Sequence, residues 1–191
     1  MITSKMRGSM NDEIRTCCKQ LFLSSTIPDM CEHDATPKQA GFILEALQKE
    51  LSLREENKRI RLVKRAGFPT YKTFEGYSYD AVTFPPALSK AELENAEFVS
   101  KHQNLVLYGP VGIGKTHMAI AAGIKACTLG YKTKFFTVTE LVLKLAEARK
   151  NGTLEKLRAD LKTQDLLILD EWGYVPVDRD GSQLLFRVIS D

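Results

Sequence analysis

The sequence predicts an α/β fold, in which a parallel sheet flanked by helices follows a small helical N-terminal region. Two observations support this prediction. From about residue 70 onward, short apolar runs alternate with amphipathic segments, which is the pattern of βαβ units. The residues before that point are helical in pattern and increasingly basic. We therefore predict a basic helical region over residues 1–69 and an α/β domain over residues 70–191.

The composition is that of an ordinary globular chain. The 191 residues are 43% hydrophobic and 27% charged, which excludes collagen-like, mucin-like and wholly disordered classes. No apolar run approaches the ~20 residues that span a bilayer, and the polar start lacks a secretory signal. We expect a cytoplasmic protein with no membrane partner. The net charge of +3 is too small to establish a nucleic-acid partner by itself.

The four cysteines fit a reducing compartment. They are not spaced as paired C-x-x-C motifs. Cys18, Cys31 and His33 form a conceivable metal site, but no fourth ligand is evident. Buried thiols without a metal are the favoured interpretation.

A long helix is predicted to end the N-terminal region. Thr36 and Pro37 are typical of a helix start, and Gly67 marks its end after Ala66. Spacings of four, three and four residues place a set of basic side chains on one face of this helix, namely Arg54, Lys58, Arg61 and Arg65. Two interpretations stay open for that face: a solvated surface, or a surface that contacts nucleic-acid phosphates.

A connector covers residues 70–90. It is rich in aromatic residues between Phe74 and Tyr79, and it ends in Pro85-Pro86, which a helix does not cross. A helix is predicted next, over residues 91–101.

A phosphate-binding loop follows a predicted strand at residues 105–108. Residues 109–116 read G-x4-G-K-T, the Walker A pattern, and an amphipathic helix follows to about residue 129. Glycines let backbone N–H groups surround an anion, and the helix N-terminus adds positive potential. Lys115 would reach the β- and γ-phosphates, and the Thr116 hydroxyl would bind Mg²⁺. The predicted ATP-binding residues are Gly109, Pro110, Val111, Gly112, Ile113, Gly114, Lys115, Thr116 and His117.

A second nucleotide motif lies at residues 166–171. Leu166–Leu169 form an apolar run that predicts a buried parallel strand, and it ends in Asp170 and Glu171. As a Walker B element, Asp170 would hold Mg²⁺ and Glu171 would activate the water that attacks the γ-phosphate. Lys115 and Glu171 are thus the candidate catalytic residues. The alternative is a strand that ends in a solvated acidic turn.

A strand at 133–138 and two helices, at 139–150 and 153–162, are predicted between these motifs. The helix pair carries a second basic set, which consists of Lys144, Arg149, Lys150, Lys156 and Arg158. A solvated surface and a DNA-contacting surface are both compatible with this set.

The runs GPVGIGKTH, FFTVTELVLKLAEARKNG and DLLILDEWGYVPVDRDGSQLLFRVISD closely resemble the IstB-like ATPases of insertion sequences. Those ATPases belong to the AAA+ class, beside the DnaC-type helicase loaders, and the resemblance covers roughly residues 40–191. It implies a helper of DNA transposition that binds ATP and Mg²⁺, assembles as an oligomer on double-stranded DNA and acts with a transposase. It also implies that the connector borders the adenine and that both basic sets face DNA.

The resemblance further implies a sensor strand, a trans-acting arginine and a last core strand after Ser190. This sequence stops at Asp191, so we expect a C-terminally truncated ATPase domain without those core strands, with a slot between the two motif-bearing strands. ATPase activity is expected of the intact family. Two alternatives to the transposition helper stay open: a replicative helicase loader, and an inactive remnant that still binds nucleotide or DNA.

Overall fold

The computed structural model describes residues 2–172 and 179–190. The chain divides into two compact units, Met1–Lys58 and Arg59–Asp191. The division falls inside a long helix, whereas the sequence pattern places the boundary after that helix, at residue 69. Both nucleotide motifs belong to the second unit.

The first unit is helical. It contains α1 (Ile2–Gln20), α2 (Thr26–His33) and the first part of α3 (Pro37–Ala66). α3 begins where Thr36 and Gln39 exchange hydrogen bonds, with the Thr36 N–H donating to Gln39 Oε1 at 2.9 Å. It ends before Gly67, whose φ of +81° only glycine adopts readily. Both predicted ends of this helix are confirmed.

The core of the first unit includes three of the four cysteines. Cys17, Cys18 and Cys31 are buried with apolar side chains such as Ile14 and Leu47. Burial raises the pKa of the Cys18 and Cys31 thiols, because it disfavours the thiolate. These thiols therefore pack as small apolar groups. Among the described residues, no cluster of three or more His, Cys, Asp or Glu side chains could hold a metal ion.

The second unit combines helices with a small sheet. Its elements after α3 are α4 (Lys90–Glu94), α5 (Glu97–Ser100), α6 (Lys115–Thr128), β1 (Thr133–Thr137), α7 (Val138–Lys150), α8 (Leu154–Lys162), β2 (Leu166–Asp170) and α9 (Arg179–Ser190). The predicted α/β class, a parallel sheet with flanking helices, is confirmed. None of the helices described is long and apolar enough to cross a membrane.

β1 and β2 pair in parallel, with Phe135 beside Ile168 and Thr137 beside Asp170. α6 packs against them through an apolar cluster that joins Ile120 and Ile124 to Phe135. α7 begins with a capping box, in which the Glu140 N–H donates to Thr137 Oγ1 at 3.2 Å and the Glu140 carboxylate accepts from the Thr137 N–H. The second nucleotide motif lies at the end of β2 and the first one runs into the start of α6, so this packing fixes both motifs.

The predicted strand at residues 105–108 is wrong, because these residues do not belong to the sheet that the structure describes. These residues form no backbone hydrogen bond with any described residue, and a strand requires a hydrogen-bonded neighbour. The side chains still alternate, because Leu105 and Leu107 join an apolar cluster while Val106 and Tyr108 are 78% and 88% exposed. β2 is half-buried rather than fully buried, since β1 is its one partner within the described residues.

The predicted helix over residues 91–101 is also wrong in one respect. It is interrupted at Ala96, which adopts a left-handed φ of +52° between α4 and α5. Ala96 is buried, and the chain turn lets Leu93, Phe98 and Val99 join one apolar cluster. Tertiary packing therefore overrides the helical pattern of this segment.

Candidate nucleotide site

The two nucleotide motifs meet at one end of the sheet. β2 ends at Asp170, and α6 begins at Lys115, directly after the glycine-rich loop 109–114. Thr116, in the first turn of α6, donates a hydrogen bond from Oγ1 to Oδ2 of Asp170 at 2.8 Å. A hydroxyl and a carboxylate are the hard oxygen ligands that Mg²⁺ prefers. The two side chains that the sequence assigns to Mg²⁺ thus lie together and fit that ion.

The loop before α6 depends on glycine. Gly112 and Gly114 have φ values of +86° and +90°, in the left-handed region that side chains with a Cβ rarely adopt. Glycine at these positions lets the backbone follow this turn into the N-terminus of α6. Such an arrangement binds anions through N–H donors and the helix dipole.

Lys115 folds back onto its own loop. Its Nζ donates hydrogen bonds to the carbonyl oxygens of Gly109 at 2.9 Å and Pro110 at 2.6 Å. The ammonium group is therefore close to the loop backbone. Anionic phosphate oxygens are stronger acceptors for an ammonium group than neutral carbonyls, so a bound phosphate would replace these two contacts.

Glu171 follows β2 in a strained conformation. Its φ is +61°, and a non-glycine residue in this region costs of order 1–2 kcal/mol. The Glu171 side chain is exposed. Trp172, the single tryptophan of the chain, is 56% exposed beside it.

His117 ties α6 to the connector. Its Nε2 lies 2.8 Å from the carbonyl oxygen of Thr73, and since a carbonyl only accepts, Nε2 carries the proton. The side chain of His117 therefore holds the connector, and its place in the first turn of α6 leaves its backbone N–H near the loop. The sequence did not predict this contact, because it joins residues 44 positions apart.

Tyr77 is the residue at this site that the sequence analysis did not single out. Its Oη lies 3.4 Å from the carbonyl oxygens of both Ile113 and Gly114. Its ring makes an edge contact with the His117 ring, with centroids 5.1 Å apart. The sequence marks only an aromatic-rich connector, and no local pattern distinguishes Tyr77 from its neighbours.

A cavity of about 490 Å³ lies between the connector and α6. Residues 71–75 form one wall, and Ala121, Ile124, Lys125 and Thr128 form the α6 side. Thr73, which binds His117, belongs to that wall. The α6 side of the cavity therefore begins about two helical turns after the phosphate loop.

The basic set on α7 and α8 is partly engaged in other contacts. Arg149 pairs with Asp180 at 3.2 Å, and Arg158, which is only 20% exposed, pairs with Glu155 at 2.9 Å. The Nζ atom of Lys144 lies 5.3 Å from the centroid of the Phe136 ring. The two remaining members of the set, Lys150 and Lys156, are exposed.

The basic set on α3 is divided between the two units. Arg54 and Lys58 belong to the first unit, and Arg61 and Arg65 to the second. All four are exposed. Arg54 is held in place, because its Nε donates to Glu50 Oε1 at 2.7 Å and its Nη1 donates to the Leu21 carbonyl at 3.4 Å.

Comparison with known proteins agrees with the geometry of this site. Residues 29–191 match the family model described as IstB-like ATP binding protein. The ATP-binding protein of insertion sequence IS21 from Pseudomonas aeruginosa is 36% identical over 152 residues, which are 78% of this chain and 56% of that protein. The ATP-binding protein of insertion sequence IS5376 from Geobacillus stearothermophilus is 31% identical over 186 residues, which are 95% of this chain and 74% of that protein.

A third relative is an insertion-sequence ATP-binding protein of Sinorhizobium fredii. It is 36% identical over 155 residues, which are 79% of this chain and 51% of that protein. The chain thus spans between about half and three quarters of the length of these three curated relatives.

Proposed function

The chain belongs to the IstB-like ATP-binding protein family, and we propose that it is an ATP-hydrolysing, DNA-binding helper of transposition. In this proposal it assembles as a homo-oligomer on double-stranded DNA and acts with the transposase of the same insertion sequence. The 2.8 Å hydrogen bond between Thr116 and Asp170 is the observation that carries it. That contact brings the phosphate loop and the acidic strand end to one site, as phosphoryl transfer requires.

ATP binding is the first step of the proposed activity. The phosphates would occupy the loop 109–116, and Lys115 would leave the carbonyls of Gly109 and Pro110 to contact the β- and γ-phosphates. The connector would border the adenine, since Thr73 and its neighbours flank α6 directly beside the loop.

Hydrolysis would use the acidic pair. Thr116 and Asp170 would hold Mg²⁺, which neutralises negative charge on the phosphate oxygens when bound. Glu171 would orient the attacking water and accept its proton, leaving ADP and inorganic phosphate. The left-handed backbone at Glu171 supports a separate role for this carboxylate, because strained residues cluster at functional sites.

DNA binding would rest on backbone phosphates. The exposed lysines of α7 and α8 and the basic face of α3 offer charge, and no helix-turn-helix or finger pattern suggests base readout. Lys150 and Lys156 are the best candidates on α7 and α8. They take part in no ion pair among the described residues, whereas Arg149 and Arg158 do.

The test is ATP turnover with and without duplex DNA. Wild type is compared with Lys115→Ala and Glu171→Gln, and Lys132→Ala, just before β1, and Glu147→Gln, on α7, serve as controls of the same residue types. We expect DNA-stimulated turnover that is lost in the first two variants and kept in the controls. Turnover that survives both site variants would contradict the proposal. Nucleotide binding that depends on Lys115 but gives no turnover would instead favour the inactive binding protein.

A further inference from the structure

Tyr77 contacts the phosphate loop at the two peptide groups that precede Lys115. Its Oη is 3.4 Å from the carbonyl oxygens of Ile113 and Gly114. A Cβ built on Gly114 would lie 3.0 Å from the Tyr77 ring. The side chain therefore packs directly on the loop backbone and shares its phenolic proton between two carbonyl acceptors.

Peptide geometry gives these contacts a consequence for the nucleotide. In a trans peptide the C=O and the N–H point in opposite directions. The Ile113 carbonyl shares its peptide group with the Gly114 N–H, and the Gly114 carbonyl shares its peptide group with the Lys115 N–H. The Gly114 carbonyl also accepts the Met118 N–H at 2.9 Å, so α6 already orients that peptide group. Tyr77 therefore acts on the Ile113–Gly114 peptide group, and because the Ile113 carbonyl faces Tyr77, the Gly114 N–H faces the other side of the loop.

We propose that Tyr77 is a positioning residue of the nucleotide site, whose hydroxyl holds the Ile113–Gly114 peptide group so that the Gly114 N–H faces the phosphates. The inference rests on the proposed ATP site. It adds a residue outside both nucleotide motifs, 36 and 37 positions before the carbonyls that it contacts.

The surroundings keep Tyr77 in place. Its N–H donates to the Phe74 carbonyl at 3.1 Å, which closes a tight turn. Its ring makes edge contacts with the rings of Tyr79 and His117, at 4.9 Å and 5.1 Å between centroids. Tyr79 is itself fixed, since its Oη donates to Glu94 Oε1 at 2.8 Å. The Tyr77 hydroxyl is thus presented to the loop by a rigid aromatic cluster.

The protonation state also suits this role. Burial raises the pKa of Tyr77 above its ordinary value, because a phenolate is poorly solvated there. The phenol keeps its proton at neutral pH and acts as a donor. Carbonyl oxygens carry no proton, so only a protonated Tyr77 can bind them.

The first experiment measures ATP affinity by titration calorimetry on the full chain. Tyr77→Phe keeps the ring against Gly114 and removes only the hydroxyl. We expect its ATP affinity to fall about three- to ten-fold, the range for one lost neutral hydrogen bond. Tyr131→Phe is the matched control, since it removes a tyrosine hydroxyl from the same apolar cluster at a residue that follows α6. Its affinity should stay within about two-fold of wild type.

The second experiment is hydrogen exchange on the protein saturated with ATP, in which phosphate contacts would protect the loop N–H groups. Tyr77→Phe should speed exchange at Gly114 and leave the interior of α6 protected, whereas Tyr131→Phe should leave both unchanged. Wild-type affinity and wild-type exchange in Tyr77→Phe would overturn the inference, as would a lowered unfolding temperature with unchanged ATP affinity. If the proposed ATP site is wrong instead, Lys115→Ala should bind ATP as tightly as wild type. This result distinguishes failure of the proposed function from failure of the inference about Tyr77.

Discussion

The Thr116 hydroxyl and the Asp170 carboxylate share a 2.8 Å hydrogen bond although they are 54 residues apart in sequence. The bond joins the first turn of α6 to the last residue of β2. Thr116 is also the last residue of the Walker A motif at 109–116, so this contact couples the nucleotide site to the sheet. Substitutions at Thr116 therefore test whether the pair serves Mg²⁺ or only the fold.

Thr116→Ala removes the hydroxyl, and Thr116→Ser keeps it. We expect the affinity for Mg²⁺-ATP to fall about ten-fold or more in Thr116→Ala, because an oxygen ligand is lost. Thr116→Ser should bind Mg²⁺-ATP about as wild type does. Titration calorimetry measures the ATP affinity once with Mg²⁺ and once with EDTA, which separates the contribution of the metal from that of the nucleotide. In EDTA the ATP affinities of the two variants should differ little. An equal loss of Mg²⁺-ATP affinity in Thr116→Ser and Thr116→Ala would contradict a role for the hydroxyl.

Two loop glycines test the contact with Tyr77. Gly112 and Gly114 have nearly the same positive φ, but a Cβ at Gly112 meets open space and one at Gly114 meets the Tyr77 ring at 3.0 Å. Both alanine variants should lose about 1–2 kcal/mol of unfolding free energy from backbone strain. Gly114→Ala should lose more, measured by urea unfolding. A second substitution, Tyr77→Ala, should restore this additional unfolding free energy when it is combined with Gly114→Ala but not with Gly112→Ala. Equal losses in Gly112→Ala and Gly114→Ala would refute the close contact.

Local pattern predicted the parts of this fold that depend on nearby residues. The ends of α3 follow from Thr36 and Gly67, and the presence of strands at β1 and β2 follows from the apolar runs near 133–138 and 166–169. An apolar run also predicts the strand at 105–108, whose side chains alternate between an apolar cluster and solvent. Residues 105–108 form no hydrogen-bonded pair with another strand among the described residues. Pairing needs a neighbouring strand, and a local sequence pattern does not show whether one is present.

Contacts across long sequence separations were beyond the sequence analysis. The Tyr77 hydroxyl reaches the loop carbonyls, and His117 reaches the Thr73 carbonyl. In both contacts a side chain binds a backbone group, so the acceptor residue type carries no signal. The break at Ala96 has a similar origin, since burial of this residue decides the conformation.

Gly123 is packed where α6 crosses the sheet. A Cβ there would lie 2.6 Å from Ile168 Cδ1 and 2.8 Å from the Phe68 ring. Gly123→Ala should therefore destabilise the chain by about 1–3 kcal/mol through overpacking. Gly41→Ala is the control, since Gly41 lies within α3 with no atom near its Cβ. It should stabilise by about 0.5–1 kcal/mol, so a gain in both variants, measured by urea unfolding, would rule out the close packing.

Glu92 makes folding sensitive to acid. The hydrogen bond from Lys101 and those from Ser89 lower the pKa of Glu92 from 4.5 to about 2. Because the folded state favours the carboxylate, the stabilisation is fully present above pH 4.5 and is lost as the pH falls toward 2. Urea unfolding of wild type and Glu92→Gln should show a difference at pH 6 that shrinks below pH 4.5. A difference that does not change with pH would contradict this assignment.

Lys150 and Lys156 are expected to carry DNA contacts on α7 and α8. Each phosphate contact contributes about 0.9 to the slope of log affinity against log salt. Replacing both lysines with alanine should reduce that slope by about 2, measured by fluorescence anisotropy of labelled duplex DNA across a salt series. The matched control replaces Lys38 and Lys49, two exposed lysines of α3, and lowers the net charge equally. Its slope should stay within about 0.5 of wild type. If the control reduces the slope as much, the effect comes from overall charge, and the α7–α8 surface is not the DNA site.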